Sequence, residues 1–325
     1  MSAALEAIRD MLAQLARDLS WDAAAGALEI HGGLPPRRPD ESPARRLRDH
    51  LYARYFTRWA PPPGVEEQPL FGRPDGVPEF VAGLEEAAQG LDCWEPGFQV
   101  VKADPARGWA YVSNWQLTLF VDDPRQLQPP GAREGEEVHV RVPCARPNLS
   151  AGFFYLVGRA GPLDPRLPHA KIYLNIAPSL AAPLVRALLH GREVERLVFE
   201  AKVTNDPGAY CRADTGVVYA SPPDVEKMLE LVRDLQREHP DGFRDGTPLF
   251  TREVLRGVAL AESPVAQEGE VAESYGQHRC ALVANAVLER LQAGRSPEEW
   301  HAAVERAFAA EGLSLGRPWQ KTLSL

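Results

Sequence analysis

VFEAKVTNDPGAYCRADTGVVYA, from Val198 to Ala220, begins and ends in β-branched and aromatic residues, the composition of two strands around a turn. Lys202 falls inside the first strand and Arg212 just ahead of the second, so two cations stand where a sheet is built. Immediately upstream, KIYLNI (171–176) reads as a strand, SLAAPLVRALLHG as a helix ended by Gly191, and LVFEAKV (197–203) as a strand again. A strand, a helix and a strand with short links predict a βαβ unit with parallel strands. Downstream, SPPDVEKMLELVRDLQREHP predicts a helix capped by Ser221, with Val225, Met228, Leu229, Val232 and Leu235 as its buried stripe.

Outward from this core the texture changes twice. FQVVKAD, GWAYVSNWQLTLFVDD, EEVHVRVPCA and GFFYLVG predict antiparallel strands from about Phe98 onward. Before them the pattern is helical. Leu5, Ile8, Leu12, Leu15 and Leu19 recur at helical spacing, GGLPPRRPDESPARR is a connector, a second helix runs from Ala44 to Trp59 until PPPG (61–64), and a third covers 77–89. After Pro240 a loop-rich stretch extends to 274. A helix begins near Arg279, and a last helix opens at SPEE, where Ser296 and Glu299 form a capping box. These readings give an α+β protein with a mixed β-sheet core, flanking helices and a helical N-terminal region (1–95) preceding an α+β core (96–325).

The 325 residues are 44% apolar and 25% charged with a formal charge of −9, the composition of a globular chain without a broad basic footprint for nucleic acid. No apolar run reaches the roughly 18 residues of a membrane span, and MSAALEAIRDMLAQLARDLS has no signal-peptide pattern. The expected location is the cytoplasm, with export left open. Cys93, Cys144, Cys211 and Cys280 show no CxxC spacing and read as reduced thiols rather than metal ligands. Nucleotide-loop, metalloprotease and nucleophile-elbow motifs are absent, so neither a cofactor nor a metal is expected.

Strand alternation sorts the polar residues. Ile172, Leu174 and Ile176 take one face of the first strand and Lys171, Tyr173 and Asn175 the other; Glu200 and Lys202 oppose Phe199, Ala201 and Val203 in the second. With the apolar faces under the helix, Lys171, Tyr173, Asn175, Glu200 and Lys202 share a patch that Arg212, with Asp214, and Tyr219 can rim. An ordinary solvated sheet face is one reading; a covered anion site is the other. His278, beside Arg279 in SYGQHRC, is the histidine that stands out.

KIYLNIAP, VFEAKVTNDPGAYCRADTGVVYA and SYGQHRC, with LYARYFTRW and PNLSAGFFYLVG, resemble the HopA-type type III effector family over about residues 45–292. That family is itself similar to the stand-alone lyases of class V lanthipeptide and thioamitide biosynthesis. More distantly, KIYLN and EAKVTND resemble two strands of the phosphothreonine lyase effectors. The resemblance implies elimination of phosphate from phosphoserine or phosphothreonine in a precursor peptide, with a Ser/Thr kinase and a cyclase as further partners and neither nucleic acid nor membrane. It implies Lys202 as the base, Lys171, Arg212 and Tyr219 as phosphate ligands, and Arg279 as a further one, with Asn175 on the same patch. The effectors' acid is a histidine where this chain has Tyr173, and their first second-strand lysine is Glu200 here. The proton donor is therefore left between Tyr173, His278 and no dedicated acid at all, phosphate being already a fair leaving group. A module that binds a phosphorylated or acidic partner without chemistry, and a purely structural partner of a kinase or cyclase, remain as alternatives.

Overall fold

The computed structural model describes residues 3–31, 41–60, 73–114, 117–263 and 274–321. Most of the expected connector at 32–46, the PPPG at 61–64 and the end of the 240–274 stretch lie outside them. In chain order the elements are α1 (Ala3–Asp18), β1 (Leu19–Asp22), β2 (Ala27–Ile30), α2 (Pro43–Leu51), a π-helical turn (Tyr52–Phe56), α3 (Pro78–Ala88), β3 (Asp92–Asp104), β4 (Trp109–Ser113), β5 (Thr118–Val121) and β6 (Leu127–Gln128). They continue with β7 (Glu137–Pro143), β8 (Ala145–Ser150), β9 (Phe153–Val157), β10 (Ala170–Leu174), α4 (Ala181–His190), β11 (Phe199–Thr204), β12 (Gly216–Ala220), α5 (Val225–Glu238), β13 (Arg252–Leu255), β14 (Val258–Glu262), α6 (Tyr275–Gln292) and α7 (Trp300–Ala310).

The α+β class holds. The centre is a seven-stranded sheet, ordered β13-β14-β10-β12-β11-β9-β8, and a separate five-stranded sheet runs β5-β4-β3-β7-β6. The βαβ expectation needs one correction. β10 and β11 both pair antiparallel with β12, so they point the same way, but β12 lies between them. Every strand pair in the large sheet is antiparallel. Each face of β12 is apolar or aromatic at Val217, Val218 and Tyr219, which suits a strand with neighbours on both edges and cover on both faces. The stretch read as loop after Pro240 contains β13 and β14, and β14 pairs with β10 along its whole length. VALAE is apolar up to its terminal Glu262 and buried at all five positions, so alternation does not mark it as a strand.

Helices cover both faces of the sheet. Ile172, Leu174, Phe199, Ala201, Val203 and Val218 pack in one core with α3, α4 and α5. The α5 stripe of Val225, Met228, Leu229, Val232 and Leu235 is buried there, each such side chain contributing about 1.5–3 kcal/mol. On the opposite face Tyr173, Val217 and Ala261 join a second core with Ile8, Leu12 and Leu15 of α1, Leu47 and Leu51 of α2, and the inward residues of α6 and α7. Helices α1 and α2 of the N-terminal region thus share their core with the last two helices, whereas α3 packs on the other face. The expected side-chain caps differ: Ser221 Oγ bonds the Asp224 carboxylate at 2.7 Å, and neither Ser221 nor Ser296 makes a side-chain cap bond to the helix backbone. Among the described residues no helix is long and apolar enough to cross a membrane.

Candidate active site

The polar patch of the sheet is built by register. Across β10, β12 and β11, Lys171 stands opposite Tyr219, and Tyr219 opposite Glu200; one step along, Tyr173 stands opposite Val217, and Val217 opposite Lys202. The second row continues to Tyr155 on β9 and Arg146 on β8. Opposite residues in an antiparallel ladder share a face, so Lys171, Tyr173, Glu200, Lys202, Tyr219 and Tyr155 look the same way. That face is roofed by the second core, and Lys171 is only 8% exposed. Tyr173 is buried as well, and Tyr155, Glu200, Lys202 and Tyr219 are half-buried, so the solvated-face reading gives way to a largely covered cluster.

Burial sets the electrostatics. Lys171 loses so much hydration that its pKa drops to about 7, with Lys202 and Arg279 pushing further in the same direction. Burial likewise lowers Lys202 to about 8, Asp214 opposing and Arg212 assisting. The two ammonium groups lie against aromatic rings: Lys171 Nζ is 5.3 Å from the Tyr219 centroid and Lys202 Nζ 4.2 Å from that of Phe153. Arg212 also stands over Phe153, at 5.8 Å. Its fork is held by Asp214, Nε to Oδ1 at 2.5 Å and Nη2 to Oδ2 at 2.8 Å, with both side chains buried. Arg279 is buried on α6, donates from Nε to the Pro318 carbonyl at 3.0 Å, and lies 4.8 Å from the Tyr275 centroid.

Tyr173 is buried among Phe56, 5.8 Å away and edge-on, and Tyr275, 6.3 Å away. Burial raises its pKa well above the usual tyrosine value, and the neighbouring tyrosines Tyr219, Tyr275 and Tyr52 add to the shift. It is a neutral hydroxyl at the centre of the cluster. Glu200 accepts a 2.5 Å bond from Tyr155, and burial raises the pKa of this carboxyl.

The structure thus brings together Lys171, Tyr173, Lys202, Arg212, Tyr219 and Arg279. His278 sits behind Arg279, whose Nη1 donates to its Nδ1 at 2.6 Å; its other charged neighbours are Glu311 and Lys321, toward the end of the chain. Among the described residues its link to the cluster is this bond with Arg279. The Asn175 amide donates to the carbonyls of Asp245 and Gly246 at 3.0 and 2.9 Å, which ties the end of β10 to that loop. Three contributors escape the sequence reading: Phe153, Tyr275 and Tyr52, the last in side-chain hydrogen bonding with Arg212. Asp214, expected at the rim beside Arg212, is there as the partner of its guanidinium. Tyr52 had no local signal, because nothing in the order of residues sets α2 over the sheet.

A set of cations laid against the rings of Tyr219, Phe153 and Tyr275, with Asp214 paired to Arg212, can grip a phosphate dianion and offers an amine whose neutral form is reached near pH 8.

Residues 144–319 match the family model of the HopA1 effector protein family. Among solved structures, the chain is similar to the effector protein from Pseudomonas syringae pv. tomato strain DC3000, with 13% identity, a TM-score of 0.50, and 98% of this chain and 99% of that one covered. It is also similar to the effector protein from Pseudomonas syringae pv. syringae strain 61, with 14% identity, a TM-score of 0.43, and 86% and 96% of the two chains covered. No curated protein sequence matches.

Proposed function

From a chain that belongs to the HopA1 effector protein family, we propose a phosphoserine/phosphothreonine lyase that needs no metal and converts a phosphorylated peptide to its dehydroalanine or dehydrobutyrine form. The supporting observation is the cluster of buried Lys171, Arg212 and Arg279 with the half-buried Lys202. The substrate is a phosphorylated precursor peptide, made in the cytoplasm by a kinase and passed on to a cyclase.

The step balances as a β-elimination. The Lys202 amine takes the α-proton, the C–H electrons form the Cα=Cβ bond, and the Cβ–O bond breaks with its pair going to phosphate. The α-proton of a peptide is weakly acidic, so the base must be neutral and close. Burial makes Lys202 neutral above about pH 8. A dianion beside Lys171 restores that lysine's charge, since an opposite charge favours the ammonium. The two lysines then separate into one base and one phosphate ligand. Arg212, Arg279 and the Tyr219 hydroxyl complete the clamp. The departing phosphate takes a proton from Tyr173, or recovers it from the Lys202 ammonium, and leaves as hydrogen phosphate.

One observation favours a second reading. Tyr173 is a far weaker acid than an imidazolium and is fully enclosed, which suits a module that only holds a phosphopeptide. Intact mass of phosphoserine and phosphothreonine peptides after incubation decides. Loss of phosphoric acid with wild type but not with Lys202→Ala establishes the lyase; phosphate-dependent binding without mass loss establishes the module and rejects the lyase.

A further inference from the structure

Arg212 reaches the cluster from a loop rather than a strand, between the turn at Pro207–Tyr210 and β12. Two of the bonds that fix that loop come from the N-terminal region, beside the Arg244 guanidinium on the Tyr210 carbonyl. Ala213 N donates to the Thr57 carbonyl at 2.6 Å, and Ala60 N donates to the Cys211 carbonyl at 2.9 Å. These two bonds bracket Arg212 in the chain. Between their partners Arg58 adopts φ 52°, a left-handed conformation uncommon for a residue other than glycine, asparagine or aspartate.

The turn before it is equally unusual. Tyr52–Phe56 is π-helical, closed by Thr57 N to Tyr52 O at 2.8 Å. Such turns are rare and gather at functional sites. Here the widened turn sends two rings to one place. Tyr52 stacks on Phe56 at 5.2 Å and hydrogen-bonds the Arg212 side chain. Phe56 lies so close to Gly276 of α6 that a Cβ there would stand 2.4 Å from its Cε1. The π-helical turn and the strained, left-handed Arg58 lie within seven residues, Tyr52 to Arg58, beside the loop that carries Arg212. Strain of this kind persists only where surrounding contacts over-determine it.

We infer that residues 52–60 are the positioning element of the phosphate clamp, with Tyr52 and Asp214 together aiming the Arg212 guanidinium at the substrate phosphate. The inference rests on Arg212 being a phosphate ligand in the proposed site. It places a required part of that site outside residues 144–319, the span that carries the family match. Tyr52 is a positioning residue and touches no reacting atom.

Tyr52→Phe keeps the ring and its stacking and removes only the hydroxyl, so it separates positioning from packing. The first measurement needs no substrate. Rotation of the Arg212 guanidinium about its Nε–Cζ bond, read from 15N-arginine exchange spectra, should speed up severalfold in Tyr52→Phe while the melting temperature stays within a few degrees. Unchanged rotation overturns the inference. The second is a cycle with Arg212→Ala on phosphopeptide. A hydrogen bond to a charged group predicts a roughly tenfold rise in KM, with kcat within about twofold, because an interaction shared by ground and transition states moves KM alone. In the Arg212→Ala background the same change should do nothing further. An undiminished effect there sends the role of Tyr52 elsewhere and also overturns the inference. If the wild type eliminates no phosphate, the lyase reading fails by itself, and the exchange spectra still decide the role of Tyr52.

Discussion

The ammonium of Lys202 lies 4.2 Å from the centre of the Phe153 ring, so the residue assigned as base sits on an aromatic floor rather than beside its own counter-ion. A cation over a ring gains about 0.5–2 kcal/mol, which favours the ammonium. The lysine is nevertheless lowered to about 8, with burial as the largest cause. The water that is excluded there outweighs what the ring returns.

Phe153→Ala should therefore raise the Lys202 pKa, because readmitted water favours the ammonium more than the lost ring disfavours it. The rising limb of kcat/KM moves to higher pH, and turnover at pH 7 falls about tenfold for each unit of that shift. A pH–rate series on wild type and variant checks it; a limb that stays in place refutes the desolvation argument.

Lys171 is a stability cost kept for binding. Its pKa falls from 10.5 to about 7 on folding, so the unfolded chain holds more protons between those values. The cost is complete below pH 7 and shrinks as pH rises toward 10.5. Lys171→Met should stabilise the protein by on the order of 1–4 kcal/mol near pH 6, by less at pH 9, and should abolish phosphate binding. Urea unfolding at the two pH values tests the sign, and a gain that grows with pH contradicts it.

How much of this was legible beforehand follows from the range of each interaction. Alternation within KIYLNI and VFEAKV put Lys171, Tyr173, Glu200 and Lys202 on one face, because a strand's side-chain period is local. The same logic placed α5 through its apolar stripe. It could not insert β12 between β10 and β11, since partner choice depends on loops and long-range pairing. Nor could it expose β14, whose VALAE lacks alternation because both faces are buried. Tyr52 was invisible for the same reason. Its role depends on a π-helical turn and on a guanidinium, that of Arg212, supplied from a distant part of the sequence.

Asp214 has two tasks that one substitution separates by sign. Its carboxylate pairs with Arg212 at 2.5 and 2.8 Å and favours the protonated form of Lys202. In Asp214→Asn the raising charge is gone, so the Lys202 pKa drops and the rising limb of kcat/KM shifts to lower pH, opposite to Phe153→Ala. Breaking a buried ion pair also leaves a lone cation, at about 3–5 kcal/mol, and KM rises as Arg212 loses its orientation. Chemical unfolding and the pH–rate profile measure the two effects separately. A limb moving upward would show that Asp214 does not act on Lys202 through its charge.

Gly276 opens α6 beneath the π-helical turn, and a Cβ at that position would meet Phe56 at 2.4 to 2.6 Å on three ring atoms. The ring is 1% exposed and is packed edge-on to Tyr173 at 5.8 Å, so it has no open space to retreat into. Gly276→Ala gains helix propensity of about 1 kcal/mol, but forcing a packed ring aside costs about 1–3 kcal/mol. The balance is a loss, although an alanine in a helix usually stabilises. The displacement should travel along the turn to Tyr52 and loosen Arg212, so the variant combines a lower melting temperature with a higher KM for phosphopeptide and a kcat close to wild type. Phe56→Leu in the same chain shortens the obstructing side chain and should recover most of the stability. A Gly276→Ala protein as stable as wild type would mean that Phe56 does not rest on this glycine.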